Sequence, residues 1–253
     1  MIQYNGQNQI KEVHYDGHYI KYIYGGCSGD MVWQYNPPIG GNKLEYTTTT
    51  GDTFAIPCNS SSTLTHNELI LNMHEHGMPL NPYYNYEIHT LVIGDCVRII
   101  DSNCFNDMWA VTSITIPNSV TTIGYHAFTA TAISGITIPN SVTSIGQNAF
   151  QYCSGLTSIE LPSSVATIGD YCFDGCSGLT SVDISSGITS IGGYAFYSCD
   201  NITSMTIRAT VPPTIAQGTF GNETTYPIYV PAESVSIYQS TWSNYASRIR
   251  AIT

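Results

Sequence analysis

Residues 136–150 read ITIPNSVTSIGQNAF, and residues 114–128 read ITIPNSVTTIGYHAF. Two more close copies and two weaker ones lie at 159–173, 182–196, 91–105 and 205–220. The copies end on phenylalanines that are spaced 23, 22, 23, 23 and 24 residues apart: Phe105, Phe128, Phe150, Phe173, Phe196 and Phe220. Self-similarity at such a fixed period predicts a solenoid with one coil for each repeat.

The residue pattern within one copy shows how a coil would form. Alternation in Ile159-Glu160-Leu161 sends two side chains inward and one outward, as a half-buried strand requires. A Pro-Asn-Ser or Pro-Ser-Ser turn follows, then a second β-branched segment such as 142–145, which Gly146 ends. The Ala-Phe pair would fill the far side of the coil. Because one coil cannot bury its own core, its neighbours must stack on it, with parallel strands about 4.8 Å apart. The predicted fold is a mainly β repeat solenoid of about six 23-residue turns.

These copies resemble the repeats of the BspA-like leucine-rich-repeat family, whose pattern is close to L-T-S-I-x-I-P-x-S-V-T-S-I-G-x-x-A-F-x-x-C. The resemblance implies a right-handed leucine-rich-repeat solenoid. It also implies a place on or outside the cell, as in family members from gut and oral anaerobes, including gut commensals, and from some protozoa. Several members of the family are similar to adhesins that bind host matrix proteins or other bacteria.

The repeats divide the chain into four predicted parts. A small β module is expected at 1–42, and an N-terminal cap of the solenoid at 43–87. The cap contains a hairpin at 43–57, and its sequence KLEYTTTT resembles the segment that precedes the repeats in this family. The repeats themselves occupy 88–220, and a C-terminal cap occupies 221–253.

The C-terminal cap is predicted to contain a short helix. Pro231 suits the first turn of a helix. Trp242, Tyr245 and Ile249 would lie on one face of a helix, since their spacing is i, i+3, i+7. A cap is physically required, because the last coil would otherwise expose unpaired backbone groups and an open core.

Composition excludes some function classes. The chain has 7 Lys plus Arg against 18 Asp plus Glu, a formal charge of -11, and no basic run. A nucleic-acid partner is therefore not expected, because phosphates must be neutralised by basic side chains. No apolar run approaches the roughly 18 residues that suggest a membrane span. The polar start, 1–9, shows no signal peptide, and we expect a monomer.

Three of the eight cysteines follow the repeat. Cys153, Cys176 and Cys199 are spaced 23 residues apart, in phase with the coils. Free cysteine behaves as a small hydrophobic residue, so the phase predicts a buried ladder of thiols. The alternative is a disulfide framework, to which an even number of cysteines would also be suited.

Histidines are the strongest candidates for chemistry. His74 and His76 flank Glu75 and would point to one face of a strand, where both could bind a metal. The alternative is a solvated polar loop, since the metalloprotease motif places its histidines four apart on a helix. His126 occupies a variable repeat position and is expected to be exposed. No serine lies in a Gly-x-Ser-x-Gly elbow, so neither a cofactor nor catalytic activity is expected.

The outward side chains of the first strands form two rows, which we call the first-strand face. The first row is Thr90, Ser113, Gly135, Ser158, Ser181 and Ser204, and the second is Val92, Thr115, Thr137, Glu160, Asp183 and Thr206. This flat face of small, mostly uncharged residues could contact a protein or a glycan closely. The predicted binding residues are Ser113, Thr115, Thr137, Ser158, Glu160, Ser181, Asp183 and Ser204. The alternative is that short polar residues only keep the sheet soluble.

Glu160 and Asp183 are the two charges of this face. On adjacent coils their carboxylates would lie about 5 to 7 Å apart. A bound cation or a basic partner would relieve their repulsion; alternatively, both side chains point into water.

The function expected from these features is non-catalytic. An adhesin-like scaffold that recognises a protein or glycan at a bacterial cell surface follows from the resemblance. The alternative is a structural or receptor-binding component of a phage or mobile element, suggested by the missing signal peptide and the N-terminal module.

Overall fold

A computed structural model gives the strand backbones of the first third of the chain and nearly all residues beyond it. It describes residues 2–4, 10–15, 18–24, 31–35, 43–48, 53–57, 63–64 and 88–253, without 96 and 222–224. The first four strands pair antiparallel in chain order, within the segment predicted as a β module. They are Ile2–Tyr4 (β1), Ile10–Tyr15 (β2), His18–Tyr24 (β3) and Met31–Tyr35 (β4).

A hairpin pairs with the first strand of the first coil. Lys43–Thr48 (β5) and Thr53–Pro57 (β6) pair antiparallel, as predicted. β5 also pairs antiparallel with Ile88–Val92 (β8), which begins the first coil. Without the hairpin, β8 would present a row of unpaired N–H and C=O groups, so this pairing protects the end of the solenoid.

The second strands of the coils form one parallel sheet. In the described part of the chain this sheet has seven strands. One is Thr63–Leu64 (β7), which pairs with the first coil and gives the solenoid about seven turns where the repeats predict six. The others are Ile99–Ile100 (β9), Thr122–Ile123 (β11), Ser144–Ile145 (β12), Thr167–Ile168 (β14), Ser190–Ile191 (β16) and Thr214–Ile215 (β18).

The first strands form two parallel sets that are separated at the third coil. β8 pairs with Ser113–Thr115 (β10) in the first set. The second set begins at the fourth coil and continues into the C-terminal cap. Its strands are Ser158–Leu161 (β13), Ser181–Ile184 (β15), Ser204–Ile207 (β17), Ile228–Val230 (β19) and Ile249–Ala251 (β20).

Threonines strengthen the stacking of the coils. The hydroxyls of Thr157, Thr180 and Thr203 each donate to a backbone carbonyl of the preceding coil, over 3.0 to 3.2 Å. The backbone N–H of each of these residues donates to the same carbonyl. The recurring threonine before the first strand therefore adds a second hydrogen bond between coils.

A column of phenylalanines runs through the core, as predicted. Successive rings from Phe105 to Phe196 are stacked with centroids 5.2 to 5.3 Å apart. Phe220 continues the column at 6.4 Å, after the coil with the longest spacing. All six side chains are fully buried. The in-phase spacing of the repeats thus predicted the register correctly.

Residues in the left-handed backbone region flank this column. The residue two before the phenylalanine has a positive φ in five coils without being glycine, as in His126 (53°) and Tyr171 (54°). The residue two after it does the same in several coils, as in Tyr152 (59°) and Ser198 (53°). Such conformations cost about 1 kcal/mol or more for residues other than glycine. The stacked neighbours must offset this cost.

The thiol ladder has the predicted arrangement. Cys153, Cys176 and Cys199 are buried and free of disulfides. Each Sγ donates to the carbonyl of the phenylalanine one coil earlier, at 3.1, 3.1 and 3.0 Å. Burial raises the pKa of Cys153 to about 11 and that of Cys199 to about 12.

We expect these thiols to be unreactive in the native protein. Because the thiolate is the nucleophile and these pKa values lie well above about pH 8, iodoacetamide should modify Cys153, Cys176 and Cys199 only after denaturation. Mass spectrometry of unreduced protein, alkylated before or after unfolding, measures this. Recovery of any of the three in a disulfide would contradict the ladder.

The C-terminal cap covers the last coil with a short helix and a strand. The helix (α1) is Val235–Thr241, and the last strand is β20. Trp242 is buried and donates from Nε1 to the carbonyl of Pro213 at 3.1 Å. The prediction of one helical face was wrong in detail, because the helix ends before Trp242, Tyr245 lies in a 3-10 helix and Ile249 begins β20. The Trp242 ring instead packs against Phe220, with the ring centroids 5.4 Å apart.

Candidate functional site

The predicted binding residues occupy one surface of the solenoid. Ser113, Thr115, Thr137, Ser158, Glu160 and Ser181 are exposed, and Asp183 and Ser204 are half-buried. The strands alternate, so that in β13 Ser158 and Glu160 point outward while Ile159 and Leu161 are buried. The sequence therefore placed the first-strand face correctly; whether this face binds a partner is taken up below.

Strand pairing aligns the two rows. In the first row Ser158 is paired with Ser181 and Ser181 with Ser204. The second row runs from Glu160 through Asp183 to Thr206 in the same register. It then continues beyond the predicted residues, through Tyr229 to Arg250, because the cap strands β19 and β20 extend the sheet. The repeat pattern could not show this extension, since the cap has no repeat.

A positive side chain that the sequence analysis missed lies on this face. Arg208 donates from Nε to Asp183 Oδ1 at 2.8 Å and from a terminal nitrogen to Oδ2 at 2.5 Å. These hydrogen bonds and the charge of Asp183, with a smaller effect of Glu160, raise the pKa of Arg208. The pair is solvent-exposed, so its contribution to stability is small. The pair mainly changes the charge of the face. Arg208 neutralises Asp183, while Glu160 has no ion pair among the described residues.

Of the three histidine candidates, the structure describes only His126. His74 and His76 lie outside the described residues. His126 is half-buried where exposure was expected, and its Nδ1 lies 2.8 Å from Thr129 Oγ1. That hydroxyl donates to the carbonyl of Asn148 at 2.7 Å, so it is not available for activation by the histidine. No group of three or more His, Cys, Asp or Glu side chains suited to a metal occurs in the described part.

Exposed tyrosines form a second notable surface beside the phenylalanine column. Tyr171 stacks on Tyr194 with centroids 5.1 Å apart. The ring of Tyr152 lies against Gly175 of the next coil, where a Cβ would come within 2.4 Å of it. Glycine at this position therefore provides room for a ring from the neighbouring coil.

Among the described residues, no helix is long and apolar enough to cross a bilayer.

Comparison with known proteins identifies the repeats. The family model described as the BspA type leucine-rich repeat region matches in six copies, over residues 77–176 and 144–253. No curated protein matches the chain.

Several solved structures are similar to this chain. A leucine-rich repeat protein from Eubacterium ventriosum is 20% identical, with a TM-score of 0.41 over 57% of this chain and 40% of its own. A leucine-rich repeat protein from Bacteroides ovatus is 17% identical, with a TM-score of 0.39 over 83% and 69%. A leucine-rich cell surface protein from Faecalibacterium prausnitzii is 22% identical, with a TM-score of 0.36 over 67% and 60%. The chain thus spans less than two thirds of the first and third of these proteins.

The family match covers more than half of the residues and all six copies of the repeat found in the sequence. The chain therefore belongs to the BspA-type leucine-rich repeat family.

Proposed function

We propose that this chain is an adhesin-like, non-catalytic scaffold that recognises a protein or glycan at a bacterial cell surface through its first-strand face. Leucine-rich repeats are generally binding scaffolds without catalytic activity. The location and the adhesin-like role rest on the resemblance to this family.

The observation that supports this site is the uniform surface of the aligned first strands. Ser158, Ser181 and Ser204 present small hydroxyl side chains from successive coils, without a bulky side chain between them. A partner can approach such a surface closely and meet hydroxyl donors and acceptors at regular spacing. The charges on this part of the face are Glu160 and the Asp183–Arg208 pair, which leave one net negative charge.

Charge reversal at this point tests the proposal. We expect the double substitution Glu160→Thr with Asp183→Thr to leave folding intact, because neither side chain is buried. It leaves Arg208 unpaired and changes the local charge from negative to positive. Affinity for a captured ligand should fall by about fivefold or more at low salt. The loss of affinity should be smaller at high salt, where charges are screened. Surface plasmon resonance against immobilised matrix proteins, mucin and bacterial surface extracts measures this.

A control with the same change of net charge separates the site from the total charge. Asp200→Ser with Glu233→Ser alters two exposed acids that lie off the first-strand face. This variant should bind as the unsubstituted protein does. If the face variant and the control bind equally well, the first-strand face is not the binding site.

A further inference from the structure

The third coil interrupts the first-strand sheet. β10 is an edge of one set of strands and β13 is an edge of the other. Between them, the third coil makes one isolated bridge, from Gly135 to Ser113. Residues 136–138 belong to no strand in this described region. Their main-chain groups, and the facing edges of β10 and β13, therefore lie outside any extended ladder.

A missing residue accounts for this break. Four residues, Cys153 to Leu156, lead from the buried thiol to the buried leucine in the next coil, but the third coil has only three, Thr131 to Ile133. The loss corresponds to the 22-residue spacing between Phe128 and Phe150. One residue fewer shortens the reach of the connection by about 3.5 Å. The third coil keeps the register, since Gly135 still bridges to Ser113, but its first strand does not form a continuous ladder.

The break leaves one core side chain of the third coil partly exposed. A depression of about 770 Å³ lies over the third coil, and its lining includes Gly135, Thr137, Ser158 and Glu160. We call this depression the notch. Ile136 also lines it and is half-buried, whereas the equivalent Ile114, Ile159, Val182 and Met205 of the other coils are buried. The notch therefore combines an apolar surface with polar groups at its margin.

The charge at the margin is negative. Glu160 is exposed and lines the notch. On the next coil, Asp183 lies beside Glu160 and accepts a hydrogen bond from Arg208, with Nε 2.8 Å from Oδ1. Glu160 is thus left to attract a cation from outside, in a chain whose formal charge is -11.

We propose that the notch receives a lysine or arginine side chain from an extended segment of a protein ligand, an inference that rests on the proposed function. The alkyl part of such a side chain would pack on Ile136 while its charged end reaches Glu160. A neutral glycan offers no charge for Glu160. A sugar ring could also stack on an exposed tyrosine, but the described residues that line the notch include no tyrosine.

Selection from random linear peptides displayed on phage tests the proposal on the full 253-residue chain. Enriched peptides should share a lysine or arginine in an otherwise uncharged segment. Gly135→Leu should fill the notch without disturbing the fold, because a Cβ at Gly135 meets no atom within 4 Å. A selected synthetic peptide should bind this variant at least about tenfold more weakly, and Glu160→Gln about fivefold more weakly. Equal melting temperatures of the variants and the original protein control for folding.

Ser144→Leu is the matched comparison, because Ser144 is exposed on the second strand of the same coil and does not line the notch. It should change the affinity by less than about twofold. Ser181→Leu tests the first-strand face outside the notch. If it weakens binding and Gly135→Leu does not, the face recognises peptides at another place, so the proposal of the notch is wrong while the proposed function stands. If no peptide with a shared basic residue is enriched, or if the notch binds neutral oligosaccharides on an array in a way that Gly135→Leu abolishes, the proposal is overturned.

Discussion

Replacing Phe150 with alanine is expected to lower the free energy of unfolding by about 3 to 5 kcal/mol. Phe150 is fully buried in the middle of the column, between rings centred 5.2 Å and 5.3 Å away. Its removal leaves a cavity that two neighbouring coils border, and stacked rings on either side cannot easily collapse into it. Denaturant unfolding, followed by circular dichroism, measures the loss.

Tyr152→Ala is the matched control for this substitution. Tyr152 is an aromatic residue of the same coil that is 56% exposed, so its truncation should cost about 1 kcal/mol or less. If Phe150→Ala also costs less than about 1 kcal/mol, the stacked register of the coils is incorrect.

Gly169→Ala is the second substitution that we expect to have a large effect on the free energy of unfolding. Gly124, Gly146, Gly169 and Gly192 recur in phase, and each packs against the backbone of the preceding coil. A Cβ at Gly169 would lie 2.6 Å from the backbone nitrogen of Gln147 and 2.7 Å from the carbonyl carbon of Gly146. Because these are backbone atoms, they can move only if the coils separate. We expect Gly169→Ala to lower the free energy of unfolding by about 1 to 3 kcal/mol.

Gly135 provides the control for Gly169, because its Cβ would meet nothing within 4 Å. Gly135→Ala should be neutral or should stabilise the protein by about 0.4 to 1 kcal/mol, since alanine restricts the unfolded chain. Equal losses in the two alanine variants would contradict the close stacking of the coils at Gly169.

Most of the solenoid could be predicted from the period of the repeat. The phenylalanine column and the thiol ladder follow from it, because residues at equivalent positions of successive coils must stack. The positions with positive φ could not be found in this way, since His126, Tyr171 and Tyr152 occupy them instead of glycine. Stacking against neighbouring coils holds the backbone there, against the local preference of these residues.

The candidate site was predicted in outline but not in its electrostatics. The alternation of the strands placed Glu160 and Asp183 side by side. Arg208 follows its strand and lies outside both rows, so the rows did not include it. Because Thr206 pairs with Asp183, Arg208 is a diagonal neighbour of Asp183, within reach of a long side chain. The 22-residue spacing before Phe150 was visible in the sequence, but its consequence depends on how far the shortened connection can stretch, which a pattern of residues does not show.

Hydrogen–deuterium exchange, with and without the peptide selected by phage display, tests the central claim that the first-strand face recognises the partner. Without the peptide, residues 136–138 should exchange faster than Val182 to Ile184, which are paired on both sides. With the peptide, exchange should slow in first-strand segments, most of all at 135–138 and in β13. Slowed exchange that is confined to the residues around Tyr152 and Tyr171, with the first strands unchanged, would contradict this account.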